Sequence, residues 1–172
     1  NGPAILFEKI KGCDFKAVSN LFGNSERSKF MFRDTLEDVK KLTELKDNPL
    51  EILKRPLLAL KAKKAIPKEV NFNSSNWIET TIDKLPQIKC WEKDGGAFVT
   101  LPLVYTEDIE NPGVMNSNLG MYRIQLSGND YEKNKEIGLH YQLHRGIGIH
   151  QTKSNATGKP LKVSIFVGGT PA

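Results

Sequence analysis

Two short stretches hold most of the chemistry open to this chain. Asn118-Leu-Gly-Met-Tyr-Arg123 is followed by Gly138-Leu-His-Tyr-Gln-Leu-His144-Arg145, which sets an amide, a guanidinium and an imidazole on what read as neighbouring strands. An Asn oxygen and a His nitrogen can share a divalent cation, and an Arg fork holds a phosphate or carboxylate by two parallel hydrogen bonds. By residue type alone the set is incomplete, because hard ions such as Mg²⁺ and Mn²⁺ recruit carboxylates and phosphate oxygens as well. Plainer readings stand beside it. Asn118 can terminate a turn, His144 can be a hydrogen-bonded sheet histidine, and Arg123 can pair with any surface carboxylate. Spacing alone also allows His140 or His150 in place of His144.

The elements that would position these groups fall into two textures. Residues 3–8 read as a short buried strand and Phe15 to Phe22 as another, closing on Gly23-Asn24. Ser25 offers an N-cap for a helix through Phe32. Thr35-Leu-Glu-Asp38 has capping-box spacing ahead of Leu36, Val39, Leu42 and Leu45, which recur at helical intervals to about Lys46. Asn48-Pro49 stops that helix and opens a short one from Leu50 to Lys54, which Pro56 interrupts. From about Val70 the chain becomes β-rich. Trp77 to Ile82, Ala97 to Tyr105, Met121 to Leu126, Ile137 to His144 and Lys162 to Val167 read as strands, with Asn111-Pro-Gly113, Ser127-Gly-Asn129 and Gly146 to Gly148 as punctuation. That spacing predicts a mainly antiparallel barrel or sandwich behind a small α/β front.

A chain of 172 residues with 38% hydrophobic content can bury one ordinary core or two small ones. No apolar run is long enough to cross a bilayer. The Asn1-Gly-Pro-Ala start reads as a cut end rather than a signal peptide. Cys13 and Cys90 lie far apart and form no CxxC pair, so reduced thiols in a cytoplasmic protein are expected. Much of the net charge of +5 gathers at Lys54, Arg55, Lys61, Lys63, Lys64 and Lys68. Without aromatic stacking partners that cluster reads as a solvated face, and nucleic acid is not an expected partner. Val167-Gly-Gly-Thr170 lacks the Lys-Ser/Thr ending of a phosphate loop and reads as a strand end with a turn.

Three further blocks join the two reactive stretches: Gly2-Pro-Ala-Ile-Leu-Phe-Glu8, Asn20-Leu-Phe-Gly23 and the final Val163-Ser-Ile-Phe-Val-Gly-Gly-Thr-Pro-Ala172. In this order, over nearly the whole chain, they resemble the UbiD family of decarboxylases, which use prenylated flavin mononucleotide. The resemblance implies an α+β chain: an α/β N-terminal part with a helical linker over 1–70, then over 71–172 the first part of a split β-barrel of the flavin-reductase-like type, incomplete at the C-terminus. It implies Asn118 and His144 as ligands of a Mn²⁺ that bridges protein and flavin phosphate, with K⁺ as a further candidate ion. Arg123 becomes the catalytic residue facing the substrate carboxylate and its acidic partner. Thr100, Leu119, Gly120, Met121 and Arg123 become contacts of the cofactor.

The activity implied is non-oxidative decarboxylation of an aromatic or α,β-unsaturated acid, such as a polyprenyl hydroxybenzoate in ubiquinone biosynthesis. The rival is a non-catalytic barrel module that binds a flavin or phosphate. A flavin prenyltransferase is the implied cofactor supplier, homo-oligomers the implied assembly, and peripheral membrane contact is expected only for a polyprenylated substrate. Two departures stand out. The family's acidic metal ligand and its acid–base carboxylates match nothing in residues 1–172 and are expected beyond Ala172, so this stretch alone is expected to be inactive. Glu107, Asp108 and Glu110 read as a solvated acidic loop. Leu143 also precedes His144 where some relatives carry a polar residue.

Overall fold

The computed structural model describes residues 2–45, 56, 57, 60 and 79–168. By its internal contacts the chain divides into two compact units, residues 1–8 with 16–77 and 170–172, and residues 9–15 with 78–169.

In the first unit β1 (Ile5–Phe7) and β2 (Ala17–Ser19) pair antiparallel, Ile5 opposite Ser19. Two helices follow, α1 (Ser25–Met31) and α2 (Leu36–Leu45). The cap of α1 is Asn24 rather than Ser25: its side-chain oxygen accepts from the N–H groups of Glu26 and Arg27 at 2.8 and 3.4 Å. At α2 the Thr35 hydroxyl donates to the Phe32 carbonyl at 3.3 Å, so it serves the preceding turn. The expected helix from Leu50 to Lys54 and the basic residues Lys54, Arg55, Lys61, Lys63, Lys64 and Lys68 lie outside the described residues.

The second unit holds two three-stranded antiparallel sheets and a helix. One sheet has β3 (Phe98–Val99), β6 (Arg123–Gln125) and β7 (Gly138–His140) in the order β3-β6-β7. The other has β4 (Leu103–Glu107), β5 (Ser117–Met121) and β8 (Val163–Phe166) in the order β5-β4-β8. Two stretches expected as single strands, 97–105 and 121–126, are each broken. Val99 opposes Ile124 and Leu103 opposes Met121, so residues 100–102 face only Tyr122 and Arg123. That extra residue shifts the ladder and lets one ribbon serve two sheets. Buried Pro102, with no N–H to pair, sits in the break. The architecture is thus mixed α/β with antiparallel sheets, and the described strands do not close into a barrel.

Two expectations fail here. Ile82–Lys84 is a 3-10 turn, not the end of a strand. The Thr81 hydroxyl bonds Asp83 at 2.5 Å and Asn134 accepts from the Asp83 N–H at 2.9 Å, so polar side chains hold a loop where β-branched residues suggested a strand. The Asp83 carboxyl is drawn down to about 2, mainly by the Thr81 hydroxyl and by Lys133.

The larger failure is a 12-residue helix, α3 (Gly146–Thr157), where glycines 146 and 148 read as punctuation. Its buried face is Ile147, Gly148, His150 and Ser154, at helical spacing but mostly polar or without a side chain, so no apolar stripe announces it. Gly158 closes the helix in the left-handed region, φ 67°. The core of the unit gathers Ala97, Val104, Ile124, Leu126 and Ile147.

His150 is satisfied inside this core. Its Nδ1 lies 2.9 Å from the Thr106 hydroxyl on β4, both side chains buried. Thr106→Val keeps the shape and leaves the imidazole nitrogen without its partner. In the full-length protein it is expected to cost about 1–3 kcal/mol by urea unfolding, and Thr106→Val with His150→Leu is expected to cost less than the single change. A single variant as stable as the wild type would show that this contact contributes nothing.

Candidate functional site

Asn118 sits on β5 directly opposite Thr106 of β4, hence on the sheet face that meets α3. Its Nδ2 donates to the Tyr122 hydroxyl at 3.4 Å, which turns Oδ1 toward the helix. There Oδ1 lies 2.2 Å from the point a β-carbon on Gly146 would occupy, so only a glycine leaves room for the amide at the first position of α3. The Tyr122 ring also crowds Gly120, 2.7 Å from the position of a β-carbon there.

The helix start is open. Arg145 occupies the N-cap position in extended geometry and its side chain makes no cap bond. Its carbonyl accepts from Gly148 and Ile149, while the N–H groups of Gly146 and Ile147 find no acceptor among the described residues. His144 stands two residues before Gly146, in the turn that leads into the helix. Its side chain is exposed and has no hydrogen bond to the described residues. The other two histidines are engaged: His150 with Thr106, and His140 through Nε2 with the Gln125 side-chain oxygen at 3.0 Å. An amide oxygen and two unpaired N–H groups therefore meet at the start of α3, where the aligned peptide dipoles favour an anion, and His144 lies in the turn that leads into it. No group of three or more His, Cys, Asp or Glu able to hold a metal exists among the described residues. Of Asn118, His144 and the two N–H groups, only the amide oxygen and the imidazole are of metal-ligating type, and two such ligands are fewer than a hard divalent ion takes, while the N–H groups suit an anion.

Arg123 opens β6 opposite His140. Its guanidinium carbon lies over the Phe98 ring at 3.8 Å and over the Trp91 ring at 4.6 Å. Nη1 and Nη2 donate to the two carboxylate oxygens of Asp94 at 3.2 and 2.9 Å. Nε is buried and unpaired. The Arg123 bonds hold the Asp94 carboxyl below the usual carboxylate range, so the ionised form is the paired one. A carboxyl lowered in the fold adds stability above its unfolded value, and that stability is lost as pH falls through the lowered one. Asp94 is a partner that sequence reasoning missed. The signal available was an acid just before Gly95-Gly96, three residues after Trp91.

The remaining candidates are scattered. Thr100 is half-buried in the break between β3 and β4. Leu119 and Met121 are exposed on the sheet face away from Asn118, and Gly120 lies on the same face as Asn118. The acidic loop is not simply solvated. Glu107 accepts from the Tyr105 hydroxyl at 2.7 Å and from Gly113 N–H at 2.6 Å, and Lys153 of α3 pairs with Asp108 and Glu110. Cys13 and Cys90 are free thiols. No helix among the described residues is long and apolar enough to cross a membrane.

Residues 61–172 match the profile of the 3-octaprenyl-4-hydroxybenzoate carboxy-lyase Rift-related domain, and residues 1–46 match the N-terminal domain of the same family. The chain belongs to the UbiD family. Among its relatives, a subunit of 4-hydroxybenzoate decarboxylase from Chlamydia pneumoniae is 35% identical over 99% of this chain and 29% of its own length. An uncharacterized protein of Aquifex aeolicus is 34% identical over 99% of this chain and 36% of its own length. This UbiD chain therefore spans well under half the length of these relatives. Among solved structures, the vanillic acid decarboxylase of Sedimentibacter hydroxybenzoicus in closed form superposes with a TM-score of 0.70 at 24% identity, covering 98% of this chain and 34% of that one. The UbiD-class enzyme HmfF from Pelotomaculum thermopropionicum, in complex with FMN, gives 0.64 at 19% identity, covering 98% and 34%. At these identities the likeness concerns the fold.

Proposed function

We propose that this chain is the N-terminal and central part of a UbiD-type carboxy-lyase that decarboxylates an aromatic or α,β-unsaturated acid with prenylated FMN. The observation that carries this reading is the constellation at the start of α3. Asn118 fills the space over Gly146, two N–H groups lack acceptors, and His144 stands free two residues earlier. In this role Asn118 and His144 would hold Mn²⁺, and the N–H groups of Gly146 and Ile147 would donate to the phosphate oxygens of the cofactor. Thr100 and the backbone of Leu119, Gly120 and Met121 line the flavin. Arg123 orients the substrate carboxylate, the group that departs as CO₂. The prenylated flavin, when bound, supplies the electron sink that makes loss of CO₂ feasible. The protein's part is to orient the acid, exclude water from it and return a proton to the carbon.

The third metal ligand and the proton-donating carboxylates belong, on this reading, to sequence beyond Ala172. The two sheets of the second unit then form part of a split barrel. One observation supports that completion: Leu103 of β4 is flanked in register by Met121 and Phe166, and the latter two are exposed. An apolar sheet face of this kind calls for a cover.

Native mass spectrometry and turnover of the full-length protein, co-expressed with a flavin prenyltransferase, test the proposal. A mass increment for prenylated FMN plus a divalent metal is expected, with CO₂ released from 4-hydroxybenzoate, vanillate or 3,4-dihydroxybenzoate. Bound flavin without turnover on a broader panel of unsaturated acids would leave the flavin-binding module instead. No bound flavin would end both readings.

A further inference from the structure

The surroundings of Arg123 hold more order than a residue waiting for a substrate requires. The turn from Trp91 to Asp94 closes on itself: the Asp94 N–H donates to the Trp91 carbonyl at 3.0 Å, and the Trp91 N–H donates back to Asp94 Oδ2 at 3.3 Å. One short turn thus presents both a carboxylate and an aromatic face to the same guanidinium. The carboxylate side chain is only 10% exposed, and Phe98 adds a second ring. An arginine has five N–H donors on a planar fork at the end of a flexible stem. Here the terminal nitrogens are engaged end-on by Asp94, which fixes the plane and leaves Nε buried with no acceptor.

We infer that Asp94 is a positioning residue for Arg123, delivered by the Trp91–Asp94 turn, and that by holding the guanidinium plane with Nε turned inward it leaves the remaining Nη–H donors for an incoming carboxylate. The inference rests on the role proposed for Arg123 above. Asp94 touches neither substrate nor flavin in this scheme. It sets the direction in which Arg123 donates, and by sharing the positive charge it keeps the arginine from gripping the carboxylate tightly in the ground state.

The test uses the full-length, flavin-loaded protein with ¹⁵N-labelled arginine, assigned through Arg123→Lys. In the wild type the Arg123 Nε–H signal is expected to be sharp and slow to exchange with water. In Asp94→Asn it is expected to broaden or vanish, with bound flavin unchanged. Turnover of 4-hydroxybenzoate, or of vanillate where the wild type prefers it, is expected to fall by roughly tenfold to a hundredfold in kcat, the range for lost orienting partners, while KM stays level or drops. Asp94→Glu keeps the charge, guards against a folding defect in the first variant, and is expected to retain a slowly exchanging signal and intermediate turnover. An unchanged Arg123 signal in Asp94→Asn, or wild-type kcat in either folded variant, would overturn the assignment. A wild type without decarboxylase activity defeats the proposed function instead, and the Nε signal still decides whether Asp94 holds Arg123.

Discussion

Full-length protein carrying His144→Ala is expected to emerge from purification depleted of its divalent metal, with decarboxylation lowered by more than about a hundredfold. Changes to groups that merely orient a metal ligand already cost 10–100-fold in affinity or activity, and His144 is proposed as a ligand itself. Its side chain is exposed and without hydrogen bonds to the described residues, so its loss should leave folding intact. Gly146→Ala is expected to reach the same result by another path. The new methyl would sit 2.2 Å from Asn118 Oδ1. Because that atom ends a rotatable side chain, the amide can swing aside with little cost to the fold, and the metal loses its oxygen. Elemental analysis and the flavin absorbance of the two variants decide the matter. Wild-type metal content in His144→Ala would remove this residue from the site.

Part of the frame was legible because its strands are punctuated: β6 and β7 lie within the segments read as strands, β5 meets them only at Met121, and Asn24 to Leu45 forms helices as expected apart from the cap. Helix α3 was hidden for a physical reason. Its buried face spends Gly148, His150 and Ser154 on close approach and hydrogen bonding, so neither apolar periodicity nor helix propensity marks it. Gly158 followed by Pro160 was the stop signal that could have disclosed it. The break at residues 100–102 was unreadable because it depends on what the partner strand does at Tyr122, a relation between residues far apart in sequence. Asp94 was missed likewise, since only the fold brings it to Arg123, 29 residues away.

Gly148→Ala separates folding from binding at this helix. In an ordinary helix interior the change from Gly to Ala gains about 1 kcal/mol. Here the added β-carbon would meet the Leu143 carbonyl oxygen at 2.1 Å and its carbon at 2.7 Å. Those atoms are backbone, so no rotamer relieves the contact and either the helix or the 143–145 turn must move. Overpacking of buried sites costs about 1–3 kcal/mol and occasionally more, and a contact this close belongs at the upper end. The expected net loss is about 2 kcal/mol, read as a lower urea midpoint in the full-length protein. The same displacement carries His144 with it, so metal retention should fall as well. Gly146→Ala, two residues earlier, is expected to lose metal at an unchanged midpoint. Equal stability of the two variants would mean that α3 can shift freely against the turn, and the glycine at 148 would then owe nothing to close packing.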